Sequence, residues 1–270
     1  MSSKYIHGTH REEQDRLAVL NRLLNERCIE KIDVTESRRI LDIGSGLGLF
    51  SRMLAKRAPR AEVVAVERES DQIKRAMEFA FEVGETDLVQ FRMGDAYDLP
   101  LLKEEWGEFD LIFMRFLLEH VSDPMRALRQ AWKAMAPGGK IILVDDDHAN
   151  FRIAPPCQAF DRLWAAYSQV YVVLGNDPYI GRKLVTHLYQ AGFRDFKADF
   201  VLFGGARSEP HFMDYADNLI GILEGARSGI EEMLNLDSFQ FDTEMEQIRK
   251  WSEKPDAALW YATNWAEAIK

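Results

Sequence analysis

The sequence predicts a doubly wound α/β core, in which helices cover both faces of a parallel sheet, over roughly residues 30–150. Two observations support this fold class. Short apolar runs alternate with helix-like segments along this stretch, as they do in parallel sheets. The runs are also apolar at nearly every position, so both faces of each strand are expected to be covered.

The five apolar runs have the length and composition of buried strands. Helix-like segments lie between most of them, and three of these place apolar residues three or four positions apart. Pro124 fits the first turn of the last of these helices, and Pro137-Gly138-Gly139 is expected to stop it. The strand-like runs are Arg39–Ile43, Glu62–Val66, Leu88–Met93, Asp110–Met114 and Lys140–Val144, and the helix faces are Phe50, Met53 and Leu54, then Ile73, Met77 and Ala80, then Met125, Leu128 and Trp132.

Outside this core the regular alternation stops. Residues 9–27 predict an amphipathic helix that starts with a capping box of Thr9 and Glu12. Periodicity leaves the final segment, Leu259–Ile269, open between strand and helix. Between residues 150 and 259 we expect a helix rich in aromatic residues over Ala159–Leu174, a helix over Gly181–Ala191, a strand over Phe196–Phe203 and helical structure over Glu209–Lys250.

The charge of the chain disfavours a nucleic-acid partner. The 270 residues include 34 basic and 44 acidic side chains, and the formal net charge is −10. An acidic surface repels a phosphate backbone unless a local basic patch offsets it, and the short basic clusters here fit solvated helix ends and turns. We therefore expect no nucleic-acid substrate.

The two cysteines, Cys28 and Cys157, lie far apart and lack the spacing of metal ligands, so we expect free thiols in a reducing compartment. The first residues contain no apolar segment typical of a secretory signal. No apolar run approaches the roughly 18 residues that a membrane helix needs. These features predict a cytoplasmic protein without a membrane partner.

A glycine-rich turn follows the first predicted strand. Gly44-Ser45-Gly46-Leu47-Gly48 allows the backbone to take positive φ and to approach a ligand without an intervening Cβ. The dinucleotide fingerprint places its third glycine one residue later, and it requires no acid at the position of Asp42. Glu67 ends the second strand, where a carboxylate can accept hydrogen bonds from ribose hydroxyls. These two features indicate an adenosine-type ligand and leave NAD open.

Five ordered motifs distinguish the ligand: ILDIGSGLG, VVAVERES, FRMGDAYDLP, FDLIFMRFLLEHVSDP and MAPGGKIILVDDD. With them the chain resembles the class I S-adenosylmethionine (SAM)-dependent methyltransferases over residues 39–147. The resemblance is strongest to small-molecule methyltransferases whose chains open with Tyr-x-x-Gly-[Ser/Thr] and a Glu-x-x-Arg-Leu helix. Residues 5–9 and 13–17 match that opening. The resemblance implies SAM as cofactor and S-adenosylhomocysteine as product.

The resemblance also implies roles for individual residues. The three glycines would lie against the methionine and ribose of SAM, Asp42 would orient their turn and approach the ammonium group, and Glu67 would accept the ribose hydroxyls. The Arg115 carbonyl would meet the ammonium group, while its guanidinium could reach a carboxylate. Asp95 would accept the adenine amino group, and the Ala96 amide would face the ring. The full set of implied cofactor residues is Tyr5, Arg16, Asp42, Gly44, Ser45, Gly46, Gly48, Glu67, Arg68, Asp95, Ala96, Arg115 and Phe116.

For the fold, the resemblance implies a Rossmann-like seven-stranded sheet of order 3-2-1-4-5-7-6 with an antiparallel seventh strand and helical cap insertions. The final segment would then be the seventh strand. The expected organisation is an N-terminal helical lid at 1–29, the SAM-binding core at 30–150, an aromatic cap helix at 151–180, a helix and strand returning to the core at 181–204, a helical insertion at 205–256 and a C-terminal strand at 257–270.

Methyl transfer needs few obligatory catalytic groups, because the sulfonium already activates the methyl carbon. A general base is most useful for a phenol acceptor. His120 is the first candidate because it follows the fourth strand and titrates near neutral pH; packing of its turn is the alternative. The residues predicted to line an acceptor pocket are His7, Asp145, Trp164, Tyr167 and Tyr171, and for the three aromatic residues a place in the core is the alternative.

Asp145-Asp146-Asp147-His148 has the composition of a metal site. Successive residues at a strand end point in alternate directions, however, and no second cluster of ligands has a matching spacing. We therefore predict no metal.

The leading hypothesis is a methyltransferase acting at an oxygen or nitrogen of a small molecule. The alternatives are a SAM-binding regulatory partner without catalysis, a methyltransferase acting on protein or RNA, and an NAD-dependent oxidoreductase. The early third glycine and the Gly94-Asp95-Ala96 motif argue against the last. The sequence specifies neither the acceptor nor the oligomeric state, and a homodimer is compatible with it.

Overall fold

The computed structural model describes residues 24–270, which form two compact units. We call residues 25–146, 180–201 and 264–270 the sheet unit, and residues 147–179 and 202–263 the aromatic unit. A helix α1 covers residues 24–30. The other helices are α2 (Leu49–Arg57), α3 (Ser70–Glu82), α4 (Pro124–Ala134), α5 (Gln158–Val173), α6 (Leu184–Gln190), α7 (Phe212–Gly225), α8 (Arg227–Leu234) and α9 (Ser238–Ser252), and the strands are β1 (Arg39–Ile43), β2 (Glu62–Glu67), β3 (Gln90–Met93), β4 (Phe109–Arg115), β5 (Met135–Asp145), β6 (Arg152–Ala154), β7 (Arg194–Ala206) and β8 (Ala258–Ile269).

The sheet unit has the predicted doubly wound topology. Its strands follow the order β3-β2-β1-β4-β5-β8, with β1 to β5 parallel and β8 antiparallel to β5. Strand β7 also pairs with β8. The implied order is thus confirmed, with β7 in the place of the sixth strand and β8 in the place of the seventh. The sheet has eight strands instead of the expected seven, because the short strand β6 also pairs with β8. The final segment is a strand, one of the two structures that periodicity alone left open.

Successive residues of each central strand enter two different apolar clusters. Leu41 and Ile43 of β1 belong to one cluster, while Ile40 belongs to the other. In β5, Ile141 and Leu143 likewise belong to the first cluster, and the residue that follows each of them belongs to the second. Because side chains alternate between the faces of a strand, both faces of this sheet are buried. This is the reason that the strands are apolar at almost every position.

Two details of the helices differ from the prediction. Met77, expected on the buried face of α3, is 54% exposed, whereas Ala76 and Ala80 are fully buried. These small side chains let α3 approach the sheet closely, which leaves longer side chains at the rim. Helix α4 ends at Ala134, before the predicted stop at residues 137–139, which lie within β5. There the N–H of Gly138 donates to the carbonyl of Lys270, at the C-terminal end of the chain.

The aromatic unit contains α5, α7, α8 and α9, and β6 pairs in it with residues 258–260 of β8. Its core includes an aromatic network on α5, in which Tyr167 and Tyr171 are each only 2% exposed. His148 lies in this network, stacked on the Tyr167 ring at 5.2 Å and edge-on to the Tyr171 ring at 4.8 Å. The predicted aromatic helix is therefore confirmed as a helix.

Other expectations have mixed outcomes. The predicted helix at Gly181–Ala191 is split into a 3-10 turn over Ile180–Lys183 and helix α6. Both cysteines are free thiols, as expected. The capping box of the predicted N-terminal helix lies outside the described residues. Within residues 24–270, no helix combines the length and apolar character needed to cross a bilayer.

The hydrogen bonds around Ser168 determine which nitrogen of His148 carries the proton. The Ser168 hydroxyl lies 3.0 Å from the carbonyl of Trp164, which can only accept. Since the hydroxyl proton is used there, the Ser168 oxygen accepts from His148 Nδ1 at 3.1 Å. Both side chains are buried.

Ser168→Ala is expected to destabilise the protein by about 1–3 kcal/mol, because it leaves the buried Nδ1–H of His148 without its acceptor. Urea unfolding of the variant and the wild type measures this difference. Ser208→Ala, at an exposed serine of the same unit, is the control. It should change the free energy of unfolding by less than about 0.5 kcal/mol. Equal stability of the two variants would contradict the assignment.

Candidate functional site

The carboxyl ends of β1, β2, β3 and β4 carry the residues predicted to hold the cofactor. Gly44 follows β1, Glu67 ends β2, Asp95 follows β3 by two residues, and Arg115 ends β4. Open α/β sheets bind ligands at this edge, outside the carboxyl ends of their strands. All of these residues belong to the sheet unit.

The glycine turn is bound directly to the end of β2. The N–H groups of Gly44 and Ser45 both donate to the carbonyl of Val66, at 2.8 and 3.1 Å. The N–H of Gly46 donates to the carboxylate of Glu67 at 2.9 Å. All three glycines of the turn have positive φ, between 54° and 81°. The turn is therefore a fixed structure whose conformation favours glycine at each of these positions.

Glu67 accepts three backbone N–H groups. Its Oε2 accepts the N–H of Gly46. Its Oε1 accepts the backbone N–H of Arg68 at 2.8 Å and that of Glu69 at 3.0 Å. A carboxylate has about four acceptor sites, so three are used by the backbone. Glu67 thus organises both the glycine turn and the start of α3, whereas Arg68 is exposed and pairs with Glu69.

Asp42 is a buried acid on β1 with a defined partner. Its side chain is 3% exposed and accepts a hydrogen bond from the Ser51 hydroxyl at 2.6 Å. Burial raises the pKa of Asp42 to about 6, while the hydrogen bond from Ser51 and the positive charge of Arg115 oppose this shift. The carboxylate is therefore mostly ionised at pH 7.

The side chain of Arg115 is directed into the same region of the sheet unit. Its guanidinium lies 5.0 Å from the Phe50 ring centre and 5.4 Å from that of Phe116. Burial raises the pKa of the Cys28 thiol. Arg115 partly offsets this rise, both through its positive charge and through a hydrogen bond with the thiol. The guanidinium also lies close enough to Asp42 to lower the pKa of its carboxyl, in agreement with the idea that it could reach an acid.

The turns after β3 and β4 are also well defined. Asp95 accepts from the N–H of Tyr97 at 2.8 Å, and Ala96 is 9% exposed. Phe116 has a φ of 49°, which is unusual for an aromatic residue, and its N–H donates to the Val144 carbonyl. A strained residue held by a neighbouring strand is a common feature of ligand-binding turns.

His120 ends a 3-10 turn over Leu118–His120. Burial lowers the pKa of His120 to about 4, and the positive charge of Arg68 adds to this effect. The imidazole is therefore neutral at pH 7, and its 3.4 Å contact with Glu119 is not an ion pair. A histidine of such low basicity is poorly matched to proton abstraction near neutral pH. Its role as a base stays a prediction.

Asp145, the predicted pocket acid, is 1% exposed. Its carboxylate accepts the N–H of Leu118 at 2.8 Å and that of Asp146 at 3.2 Å. Burial raises the pKa of Asp145, and the negative charge of Asp146 raises it further. In the structure this carboxyl holds the turn after β4, so a contact with an acceptor remains a prediction.

Three of the predicted pocket residues belong to the aromatic unit. Trp164, Tyr167 and Tyr171 lie together on α5, where the indole of Trp164 donates to the carbonyl of His148 at 2.8 Å. The hydroxyl of Tyr167 donates to that of Tyr171 at 3.1 Å. The remaining members of the predicted site, Tyr5, His7 and Arg16, lie outside the described residues.

Sequence reasoning missed four neighbours of the glycine turn. Ser51 holds Asp42, and a Cβ placed on Gly44 would lie 3.1 Å from the side chain of Leu117. A Cβ on Gly46 would lie 3.1 Å from Gln72, and one on Gly48 would lie 2.3 Å from the ring of Phe91. Of these four residues, only Ser51 could have been found from the sequence, because it lies on the first turn of α2, close after the glycine turn.

Comparisons with known proteins identify the family. Residues 41–143 match a family model described as a methyltransferase domain. The 27-O-demethylrifamycin SV methyltransferase of Amycolatopsis mediterranei (strain S699) is 26% identical over 253 residues, which are 92% of this chain and 85% of that protein. The demethylmenaquinone methyltransferase of Thermus thermophilus is 30% identical over 162 residues, which are 57% of this chain and 69% of that protein. The chain belongs to the class I SAM-dependent methyltransferases.

A solved structure shows a similar fold. The phosphoethanolamine N-methyltransferase 2 of Haemonchus contortus, solved with SAM, is similar with a TM-score of 0.52 and 18% identity, over 95% of this chain and 52% of that one. This likeness concerns the fold alone. As a member of the SAM-dependent methyltransferases, the protein is an enzyme of class EC 2.1.1 with SAM as cofactor. This family membership rules out the alternative hypothesis of an NAD-dependent oxidoreductase.

Gly48→Ala is expected to destabilise the methyltransferase more than Gly84→Ala. Both glycines have positive φ, 65° for Gly48 and 70° for Gly84. Both substitutions therefore introduce backbone strain of about 1–2 kcal/mol. Of the two, only Gly48 has a neighbour, Phe91, that a new Cβ would strike. This clash should add about 1–3 kcal/mol.

Thermal and urea unfolding of both glycine variants measure the difference. Because the backbone strain is common to the two variants, the excess loss in Gly48→Ala reports the contact with Phe91. Equal losses would contradict tight packing of the turn.

His120→Gln is expected to reduce the acid sensitivity of the fold. The folded pKa of about 4 lies below the ordinary histidine pKa of 6.5, so the wild type loses stability as the pH falls from 6.5 to 4. The loss attributable to His120 is about 2 kcal/mol. This loss of stability is smaller than the full pKa shift would give, because 21% of the His120 side chain is exposed to solvent.

Urea unfolding of the wild type and His120→Gln at pH 8 and pH 4.5 measures this effect. The fall in the free energy of unfolding between the two pH values should be smaller for the variant. Parallel pH profiles would contradict the partly buried, neutral imidazole.

Proposed function

We propose that this enzyme transfers the methyl group of SAM to an oxygen or nitrogen of a small-molecule acceptor. The observation that carries this proposal is the similarity to the Amycolatopsis enzyme, which extends over 92% of the chain and so well beyond the methyltransferase domain at residues 41–143. The name of that relative denotes a small-molecule substrate methylated at oxygen. The formal charge of −10 supports a small molecule over RNA.

The proposed reaction is an in-line displacement. A lone pair on the acceptor oxygen or nitrogen forms a bond to the methyl carbon while the carbon–sulfur bond breaks, and its electron pair stays on sulfur to give S-adenosylhomocysteine. The acceptor loses a proton before or during this step. The enzyme contributes chiefly by aligning the two reactants and excluding water.

On the cofactor side, we assign the ribose to Glu67 and the methionine portion to the glycine turn. The Glu67 carboxylate already holds the N–H of Gly46, so a ribose bound there would contact the same group that sets the shape of the turn. The hydroxyls of the ribose would take the remaining acceptor site of Glu67 or replace that N–H. Gly44 and Gly48 would lie beside the methionine.

The ammonium group of SAM would meet the carbonyl of Arg115 and the ionised carboxylate of Asp42. The raised pKa of Asp42 has a consequence for binding. If this carboxylate helps to bind the ammonium, affinity for SAM falls as the pH drops below about 6 and the acid becomes protonated. Asp95 and the N–H of Ala96 would recognise the adenine, with Ser45, Arg68 and Phe116 as neighbours.

For the acceptor side, Trp164, Tyr167 and Tyr171 of the aromatic unit remain our proposed contacts, together with His7 and Asp145. The two tyrosines are buried and bonded to each other, so they would shape an acceptor site chiefly through their rings. His120 remains the proposed base, and its low pKa limits that role to an acceptor that is already acidic.

Calorimetric titration tests the cofactor assignment. We expect binding of SAM and S-adenosylhomocysteine but not NAD. Glu67→Ala should weaken SAM binding by about 10- to 100-fold, the range for loss of hydrogen bonds to a charged group. Glu69→Ala, at the adjacent exposed acid, should bind SAM like the wild type. Equal affinity of the two variants would contradict the role of Glu67.

Transfer of a labelled methyl group tests the acceptor class. The enzyme is incubated with methyl-labelled SAM and panels of phenols, alcohols, carboxylic acids and amines, and with total RNA and protein as separate arms. Label in a small-molecule product is the expected result, and the stability of that product to base distinguishes esters from ethers and amines. Label only in the RNA or protein arm would overturn the small-molecule proposal.

A further inference from the structure

Strand β7 has one exposed face that is unusually apolar. Within residues 194–201, the side chains of Phe196 and Phe200 are 39% and 48% exposed. Tyr189, in the last turn of α6, is 71% exposed and packs edge-on against Phe196, with ring centres 6.2 Å apart. Phe196, Ala198 and Phe200 alternate along the strand and therefore share this face.

The opposite face of β7 carries charges that are already paired inside the sheet unit. Lys197 donates to Glu267 at 3.1 Å, and Asp199 accepts from Lys31 at 2.6 Å. Both side chains remain open to solvent, with 58% of Lys197 and 42% of Asp199 exposed. Each could therefore take a second partner of opposite charge.

Among the described strands, β7 pairs with β8 alone. Its other edge therefore offers backbone N–H and C=O groups that can bind another strand. Within the pairing segment, the N–H of Phe200 already donates to the exposed carboxylate of Asp199 at 2.8 Å and would exchange that local bond if it pairs across the edge. Natural proteins usually shorten or protect such edges. Here the left-handed residue Asp195, with a φ of 55°, interrupts the regular strand on one side, so the segment suited to pairing begins at Phe196.

The sequence of this segment is complementary to itself in an antiparallel register. If two copies of β7 meet with Ala198 opposite Ala198, then Phe196 of each copy faces Phe200 of the other. Lys197 of each copy then faces Asp199 of the other. Directly opposed aromatic pairs and opposite charges both stabilise antiparallel sheets. The small side chain of Ala198 at the centre allows the larger rings on either side to approach.

We propose that β7 pairs with β7 of a second copy of this chain, across a two-fold axis at Ala198, to form a homodimer with a continuous sheet. The internal ion pairs then join into a chain of alternating charge, from Lys31 through Asp199 to Lys197 and Glu267 of the second copy. The apolar face, with Tyr189 at its border, is covered by its own counterpart. A self-complementary patch of this kind is what a two-fold interface requires.

The alternatives for this edge are weaker on the same observations. A strand of an unrelated protein would have no reason to match the order of aromatic and charged residues on both faces at once. The register about Ala198 satisfies both faces with one set of pairs. Sliding one strand by two residues moves the centre to Lys197 or Asp199. Either register loses the pairing of Phe196 with Phe200 and sets two like charges opposite each other.

Light scattering after size-exclusion chromatography tests the association over a wide range of protein concentration. The wild type is expected to approach twice the monomer mass, and Phe200→Asp to remain a folded monomer with an unchanged circular dichroism spectrum. Phe239→Asp is the matched control, because Phe239 is 81% exposed on α9 and should leave the dimer intact. A wild type that stays monomeric up to millimolar concentration would overturn the proposal.

Cysteine cross-linking tests the register. In a Cys157→Ser background, Ala198→Cys places two thiols at the dyad, within the Cα separation that a disulfide accepts. It should form a covalent dimer on mild oxidation. Phe196→Cys alone should not, whereas a mixture of Phe196→Cys and Phe200→Cys proteins should cross-link. Cross-linking of Phe196→Cys alone, or of every variant equally, would overturn this register.

Methyl transfer and SAM binding of the same variants provide an independent readout. The proposed interface contains none of the proposed cofactor or acceptor residues, so monomeric Phe200→Asp should retain SAM affinity. Failure of the dimer would therefore leave the proposed function unaffected, and failure of the proposed function would leave the mass measurement valid.

Discussion

The connection between the glycine turn and the end of β2 is the constraint on which the cofactor site depends. One carbonyl, that of Val66, accepts two N–H groups of the turn, and one carboxylate, that of Glu67, accepts a third. Because β1 and β2 are parallel neighbours, these bonds can form only if the chain turns sharply at Gly44. The positive φ angles of the turn, and its close contact with α3 and β3, follow from this requirement.

Burial has opposite electrostatic effects on two titratable side chains of the sheet unit, Asp42 and His120. It raises the pKa of Asp42 to about 6 and lowers that of His120 to about 4, since each change favours a neutral form. Ser51 and Arg115 keep Asp42 largely ionised at pH 7 in spite of its burial. The positive charge of Arg68, in contrast, adds to the effect of burial on His120. The site therefore retains one buried anion, which suits a cationic cofactor, and one neutral imidazole.

The parallel sheet could be predicted because its signal is local and repeated, whereas the order of its strands followed from the family resemblance alone. Strands covered on both faces are apolar throughout, and the glycine turn needs residues that few other structures need. The partners of Arg115 could not be predicted in this way: Cys28 and Phe50 are distant in sequence and meet it only through the fold. The partial burial of His120 was equally hidden, since one histidine in a turn of mixed composition does not show which way its side chain faces. Met77 was misplaced because spacing alone does not show that two alanines, Ala76 and Ala80, define the buried face of α3.

The two units differ in how far their sequence constrains their chemistry. In the sheet unit, a few backbone and carboxylate groups fix the shape of the glycine turn, so the proposed cofactor contacts can be assigned to particular residues. In the aromatic unit, large rings fill the interior, and Tyr167 and Tyr171 both pack against His148. Many combinations of rings can fill such a core equally well. A substitution that preserves the packing of this unit can therefore change the side chains available to contact an acceptor and leave the fold intact. Acceptor choice can therefore diverge between relatives that retain the same cofactor residues, and similarity across the whole chain is more informative about the acceptor than the cofactor motifs are.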